Sequence, residues 1–352
     1  MAKEIWVNAR FLTQPKSGVQ IFAIEICKKL AKINPQINFV APSNIRDKKL
    51  VKELNIVNTG NKTGALWEQI DLPKFLKKKN SPLLLNLCNT APLNYTNNII
   101  TIHDLAFIEN PNWFSTKFKI WYKFLIPKIA LKAKHIITVS EFSKNEISDN
   151  LAIPKKKISV IYNGLQTDII KFKKENSLAI KKEKIIICVG SFNPRKNLTP
   201  LIKAFEKLNL NDYKLLIVGA KNENFNSQKP ITSHKNIEYL GYLPNFELFK
   251  LYQKAQLLIY PSLYEGFGIP ILEAIYFGCP VLVSNLAVYK EIYHAFGLNY
   301  IKGEHEIYYM KELNNILTLK KDTIYSSNDI EQQFDYKKNA SQLHQLIIEF
   351  IN

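Results

Sequence analysis

What the chain lacks narrows the field before any motif is read. It has no run of about 18 apolar residues, so no helix is expected to cross a membrane. Its four cysteines, Cys27, Cys88, Cys188 and Cys279, sit in apolar contexts without metal-ligand spacing. This predicts buried, reduced thiols in a cytoplasmic protein rather than a disulfide scaffold or a metal cluster. No Asp-x-Asp pair and no low-complexity tract occurs. The opening, MAKEIWVNAR, lacks the apolar stretch of a secretory signal and runs straight into a strand-like start. Acidic residues are scarce, 30 against 48 basic ones, for a formal net charge of +18. That excess predicts attraction to an anion: nucleic acid, anionic lipid or a phosphorylated substrate. Lysine far outnumbers arginine and Asn and Ile are abundant, so part of the excess reflects base composition. The rest is ordinary: 352 residues, 46% apolar and 22% charged, allow two domains of about 150 residues with substantial cores.

Two halves repeat one pattern. In the first, the strand-like IWVNARFL leads through a loop at 15–18 into an amphipathic helix over 20–30. In the second, the apolar strand 185–189 leads through the loop 190–197 into a helix over 198–208. Strand, glycine-containing loop and helix open a Rossmann-like unit. Further strands are expected at 83–87, 99–102 and 135–139, then at 215–218, 257–260 and 281–283. The expected fold is α/β, two Rossmann-like doubly wound domains facing across a cleft. Residues 1–165 form the first domain, the polar, Lys-rich 166–184 the linker, and 185–335 the second domain. A helix over 336–352, with Leu343, Leu346, Ile347 and Phe350 at helical spacing, needs a surface to cover and is expected to cross back to the first domain.

The most informative segment is Tyr264-Glu265-Gly266-Phe267-Gly268-Ile269-Pro270-Ile271-Leu272-Glu273. Pro270 suits the first turn of a helix and Gly278 the position just past its end. The glycines let the backbone approach a ligand, and the helix start adds unpaired donors and positive dipole. Carboxylates accept hydrogen bonds from hydroxyls, so the segment suits a ligand carrying both hydroxyls and phosphates. The loop Gly190-Ser191-Phe192-Asn193-Pro194-Arg195-Lys196-Asn197 delivers two cations to the next helix. They could neutralise a diphosphate or simply be solvated.

Together these segments resemble retaining glycosyltransferases of family four, which have the GT-B fold. ITIHDLAF at 100–107, ITVSEFSKNEI at 137–147 and IYNGL at 161–165 add to a likeness that covers nearly the whole chain. By that resemblance the first domain, 1–165, binds the acceptor and the second, 185–335, the nucleotide sugar. Glu273, second glutamate of the E-x7-E element, holds its ribose hydroxyls. Glu265 faces the donor sugar, and Phe267, Gly268 and Ile269 offer backbone donors. Arg195 and Lys196 bind the diphosphate, Gly18 is the glycine-loop contact of the first half, and His103 approaches the transferred sugar and the acceptor. Ser191 stands where many members have arginine, whose task passes to Arg195. The plainer readings stay open: Glu273 as a dipole partner in its helix's first turn, His103 as a satisfied structural histidine, Gly18 as a turn glycine, Asp104 as a loop-orienting cap. Without Asp-x-Asp, no metal and no other cofactor is expected; cations and the helix dipole stabilise the leaving diphosphate. The resemblance implies retention of anomeric configuration by same-face attack, with no protein nucleophile.

Residues 113–134, WFSTKFKIWYKFLIPKIALKAK, hold six lysines, no carboxylate, and aromatics at 113, 114, 118, 121, 122 and 124. Such a helix suits an anionic membrane surface with its aromatics inserted. A core-packed helix with a solvated lysine face is the alternative, and Pro127 is expected to kink it or start a new helix. The whole predicts a cytoplasmic enzyme, peripheral at the membrane, moving a hexose from a nucleotide sugar to a glycan or lipid-linked acceptor in cell-surface polysaccharide synthesis. The Pro194-Arg195-Lys196-Asn197 loop and the His103-Asp104-Leu105 segment most resemble the mannosyltransferase-type branch of the family, which implies mannose from GDP-mannose as the donor. UDP- or dTDP-sugars are alternatives, as is a non-catalytic basic nucleotide- or nucleic-acid-binding protein. No RNA-binding aromatic motif or zinc spacing supports the last, so no nucleic acid is expected as partner.

Overall fold

A computed structural model describes residues 4–176, 180–219, 224–225, 232, 234–319 and 326–351. The chain divides into two compact units, and each carries its own parallel sheet.

The first unit comprises residues 1–105, 120–166 and 334–352. Its strands are β1 (Ile5–Asn8), β2 (Ile37–Ala41), β3 (Val57–Asn58), β4 (Leu83–Asn86), β5 (Asn98–Thr101), β6 (His135–Thr138) and β7 (Ile158–Val160). They lie in the order β3-β2-β1-β4-β5-β6-β7, all parallel. β1, β4, β5 and β6 are buried along their whole length, as central parallel strands must be. The chain order reverses between β1 and β4. In doubly wound sheets that reversal opens a crevice beyond the carboxyl ends of the two strands.

The second unit comprises 106–119 and 167–333. Its strands β8 (Glu183–Val189), β9 (Lys214–Val218), β10 (Ile237–Gly241), β11 (Ala255–Tyr260), β12 (Val281–Ser284) and β13 (Asn299–Ile301) lie in the order β10-β9-β8-β11-β12-β13. All pair in parallel, and the reversal falls between β8 and β11. Ile186, Leu215, Ile217, Leu257, Ile259 and Leu282 form its core with Leu201 and Phe205 of the helix Leu198–Lys207.

Several expectations are corrected by packing. IWVNARFL is not one strand: β1 ends at Asn8 and a 3-10 turn takes over at Arg10–Thr13. The expected linker 166–184 contains the helix Thr167–Glu175 and the start of β8, while 177–179 lie outside the described residues. Ile169 and Phe172 are the reason. They share one helix face, and Phe172 packs its ring against Phe246, Phe249 and Phe277. Segment 106–119, taken as part of the first domain, belongs with the second unit. Ser115 N–H donates to the Asn224 carbonyl at 2.9 Å and Phe114 forms a bridge with Phe225. The helix Tyr336–Ile351 packs in the first unit on the helix Gly18–Ile33 and buries Ala340, Leu343 and Ile347.

Pro127 neither starts nor ends a helix; it lies inside one running Thr116–Lys132. Leu125, Ile126, Ile129 and Ala130 of that helix are buried. Trp113 and Phe114 are buried too, so the six aromatics do not share one exposed face. The exposed apolar side chains are Ile120, Phe124 and Leu131, at spacings of four and seven, with Lys117, Lys123, Lys128, Lys132 and Lys134 exposed around them.

Candidate functional site

In the second unit the groups singled out in the sequence gather at the carboxyl ends of β8 and β11. The loop after β8 turns back at Gly190, whose φ is +153°; a Cβ there would lie 2.7 Å from Lys196 Cε. Glycine is thus needed for Lys196 to fold under the strand end. A 3-10 turn, Pro194–Lys196, carries both cations, and the Arg195 carbonyl accepts from Leu263 N–H at 2.8 Å, tying this loop to the one after β11.

Lys196 is buried. Its Nζ donates to Glu265 Oε1 and to Tyr260 Oη, each at 2.6 Å, and lies 4.3 Å from the Tyr260 ring centre. Arg195 Nη1 approaches Glu265 Oε2 at 3.4 Å and the Tyr264 carbonyl at 3.4 Å. Tyr260 Oη donates to Glu265 Oε1 at 3.2 Å. Two cations therefore converge on one carboxylate, leaving a net charge of +1 (two positive, one negative). Burial pushes the Glu265 carboxyl pKa up, but Arg195 and Lys196 outweigh it and hold it below the usual range. Burial lowers the Lys196 pKa, with Glu265 opposing. The ionised pair follows, because each charge is the other's compensation away from water.

The helix Ile269–Tyr276 begins beside this cluster. Gly268 is its cap at φ +94°, and Pro270 sits in the first turn. The first N–H groups of a helix have no intrahelical partner, so the Gly268–Ile269 backbone presents donors. Phe267 is buried against Tyr293, whose hydroxyl donates to the Gly268 carbonyl at 2.9 Å. Glu273 is buried and accepts from Tyr252 Oη at 3.0 Å. It lies in the second turn of its helix, not the first, which weakens the reading of it as a mere dipole partner. Ser191 Oγ accepts from Asn193 Nδ2 at 2.8 Å, so it shapes the loop.

Gly18 and His103 lie in the first unit, each at the end of a different element. Gly18 is the exposed first residue of the helix Gly18–Ile33 and follows its cap, Ser17. His103 follows β5 and is buried. Its Nε2 is 3.0 Å from the Leu87 carbonyl and its ring meets Phe22 edge-on at 5.1 Å. Burial lowers its pKa, so the ring is neutral; with the proton on Nε2 bonded to Leu87, Nδ1 is the acceptor nitrogen. Asn89 Oδ1 accepts from the His103 N–H at 2.8 Å and fixes the strand end.

Sequence reasoning missed Tyr252 and Tyr260, which hold the two glutamates. Tyr260 ends an apolar strand with a polar tip, a signal readable in LLIYPS. Nothing local distinguishes Tyr252, whose partner is 21 residues away.

Two doubly wound parallel sheets, one carrying this cation and carboxylate cluster beside a helix start, define an α/β protein with an anion-suited site at a topological switch point. Comparison with known proteins gives the family. Residues 16–169 match the sequence model of Glycosyltransferase Family 4, and 170–315 that of Glycosyl transferases group 1. The O-antigen chain mannosyltransferase RfbU of Salmonella typhimurium is 31% identical over 296 residues, 80% of each chain. The O-antigen chain mannosyltransferase B of Escherichia coli is 29% identical over 213 residues, 57% of this chain and 56% of that protein. Among solved structures, HepE of Anabaena in complex with UDP-glucose superposes with a TM-score of 0.73 at 15% identity, covering 99% of this chain and 100% of that one. WaaG, a glycosyltransferase involved in lipopolysaccharide biosynthesis, gives 0.64 at 14% identity over 97% and 95%. The likeness to these structures speaks for the fold. The chain belongs to the family 4 glycosyltransferases and has their two-sheet GT-B architecture.

Proposed function

We propose that this glycosyltransferase moves mannose from GDP-mannose to a glycan or lipid-linked acceptor of a cell-surface polysaccharide, at the inner face of a membrane. The observation that carries the site reading is the Arg195–Lys196–Glu265 cluster beside the Gly268 helix start. The mannosyl choice is supported by relatives named as O-antigen mannosyltransferases at 31% and 29% identity. UDP-hexose is the second reading, supported by the fold shared with a protein solved with UDP-glucose.

In this reading Glu273 accepts hydrogen bonds from the ribose hydroxyls, exchanging the Tyr252 hydroxyl for substrate. Arg195, Lys196 and the helix start meet the diphosphate. Cleavage of the anomeric C–O bond transfers a pair of electrons to the diphosphate oxygen, and groups aimed at that growing charge lower the barrier. The acceptor hydroxyl attacks the same face as its proton passes to the departing phosphate, and configuration is retained. Metal is not required: the cations take over charge neutralisation. Retained activity after EDTA treatment is the expected outcome, and a strict Mn²⁺ or Mg²⁺ requirement would refute it.

The test of the reading is thermal stabilisation against a panel of nucleotides and nucleotide sugars. GDP-mannose is expected to raise the melting temperature selectively. Glu273→Ala is expected to weaken donor binding about 10–100-fold, the loss of a charge-assisted hydrogen bond. Stabilisation by UDP-sugars alone would transfer the assignment to the second reading, and no response to any nucleotide would remove the donor site.

A further inference from the structure

The cluster at the end of β8 and β11 holds one group to which the transferase reading gives no task. Lys196 and Glu265 both stand on connecting segments, Lys196 in the Pro194–Lys196 turn and Glu265 between β11 and the helix Ile269–Tyr276. Tyr260 is the last residue of β11 and pairs with Val283 of β12, while Leu258, two positions earlier, pairs with Ile187 of β8. It is buried, and its ring lies 6.2 Å from that of Tyr289, which is buried as well. Of the three groups in contact, one is therefore fixed to the middle of the sheet and two are carried by loops. A side chain on a rigid element is the better reference for placing the other two.

The direction of each bond follows from what the groups can do. An ammonium only donates, a carboxylate only accepts, and a phenol does both. Burial, and then Glu265, push the Tyr260 hydroxyl well above its usual pKa, so the proton stays on the oxygen. Tyr260 Oη gives that proton to Glu265 Oε1 at 3.2 Å and accepts from Lys196 Nζ at 2.6 Å. Lys196 closes the triangle by donating to the same Oε1 at 2.6 Å. Among the described residues Lys196 Nζ makes no other hydrogen bond. Two of its three N–H bonds are thus aimed, and tetrahedral geometry aims the third. Without the Tyr260 hydroxyl only one bond would be aimed, and the ammonium could turn about it.

We infer that Tyr260 is a positioning residue of this transferase: its hydroxyl fixes the Lys196 ammonium against Glu265, so that the remaining N–H is held for the diphosphate. This rests on the reading of Lys196 as a diphosphate contact. A core tyrosine whose hydroxyl merely found partners would leave ligand affinity at Lys196 untouched.

The charge on Lys196 depends on Tyr260 with a definite sign. Burial lowers the Lys196 pKa, Glu265 opposes this, and Arg195 of the same turn adds to it. Cys188 of β8 also faces Lys196, but burial pushes its thiol up to about 12 and keeps it neutral. Loss of the Tyr260 acceptor favours the neutral amine further. Diphosphate binding in Tyr260→Phe should therefore fade at a lower pH, on the alkaline side, than in the wild type.

The test is isothermal titration of the full chain with GDP and GMP, and with UDP and UMP, from neutral to alkaline pH. It compares wild type, Tyr260→Phe, Lys196→Ala and the double variant. The ratio of diphosphate to monophosphate affinity cancels the nucleobase. That ratio is expected to fall about tenfold in Tyr260→Phe at neutral pH, with its alkaline decline moved to lower pH. Lys196→Ala should lose most of the preference, and adding Tyr260→Phe to it should change nothing more. An unchanged ratio and decline in Tyr260→Phe, with Lys196→Ala impaired, would overturn the positioning role alone. A diphosphate preference that survives Lys196→Ala would sink the reading of Lys196 and this inference together. Additive effects of the two substitutions would return Tyr260 to a packing role. Should Tyr260→Phe fail to fold, 3-fluorotyrosine placed at 260 decides. Its hydroxyl accepts less well from Lys196, so the alkaline decline moves to lower pH or the inference falls.

Discussion

Gly268 is held at φ +94°, and a Cβ there would meet Tyr289 Cε1 at 2.9 Å and Ile271 Cδ1 at 3.0 Å. Gly268→Ala is therefore expected to cost about 1–3 kcal/mol in backbone strain, before the contacts are counted. Calorimetry should record the lowered melting temperature, with donor affinity falling because the helix start moves. At the other end of the titration scale stands His135, bonded through Nε2 to Ser159 Oγ at 2.8 Å. Burial, with help from Lys157 and Lys144, lowers its pKa to about 4. The unfolded chain binds this proton near pH 6.5 and the folded one near 4, so stability is full above about 6.5 and drains as pH falls through that window. Melting temperatures at pH 7.5 and 5 should show the drop, and His135→Gln should flatten it. An equal drop in the variant would assign the acid sensitivity elsewhere. At this scale the sequence shows charged residues at strand ends but not their partners. Lys196 and Glu265 are readable as a site because they sit in two glycine-marked loops.

The helix Thr116–Lys132 is apolar on two sides. One buries Leu125, Ile126 and Ile129; the other exposes Ile120, Phe124 and Leu131 among lysines. We propose that the exposed side seats on an anionic bilayer, since three apolar side chains plus a lysine collar combine insertion with headgroup attraction. A triple Ile120→Ser, Phe124→Ser, Leu131→Ser variant is expected to lose most co-sedimentation with phosphatidylglycerol vesicles while keeping its melting temperature within a few degrees. Equal pelleting of wild type with neutral and anionic vesicles would end the proposal. The two-sided pattern also explains what sequence alone could not resolve. A periodicity argument assumes one apolar stripe, and here two apolar sides alternate with lysines so that neither face can be read from the spacing alone. Eight of the thirteen described strands are legible as short apolar runs, whereas β2, β3, β7, β10 and β13, mostly nearer the sheet edges, are too short or too polar to stand out. The turn of helix at 167–175 escaped because its lysines outnumber the two residues, Ile169 and Phe172, that anchor it.

On the scale of the whole molecule, the first unit is completed by the helix Tyr336–Ile351, which follows the second unit in sequence. Leu165 N–H donates to the Phe334 carbonyl at 2.8 Å, so the chain re-enters the unit beside the point where it left. Leu343 and Ile347 are fully buried there, and burying them contributes about 3–6 kcal/mol. Leu343→Ala is expected to lower stability by about 2–5 kcal/mol, read from denaturant midpoints, and a chain ending at 335 should be recovered mainly as aggregate. The order of synthesis acquires a meaning from this return. A domain near the start of a chain ordinarily folds first as it leaves the ribosome. Here the Gly18–Ile33 helix stays uncovered until residues 336–351 are made, after nearly all of the second unit. A chaperone, or a nascent-chain clash, would thus act on the Gly18–Ile33 helix only after the second unit has been made.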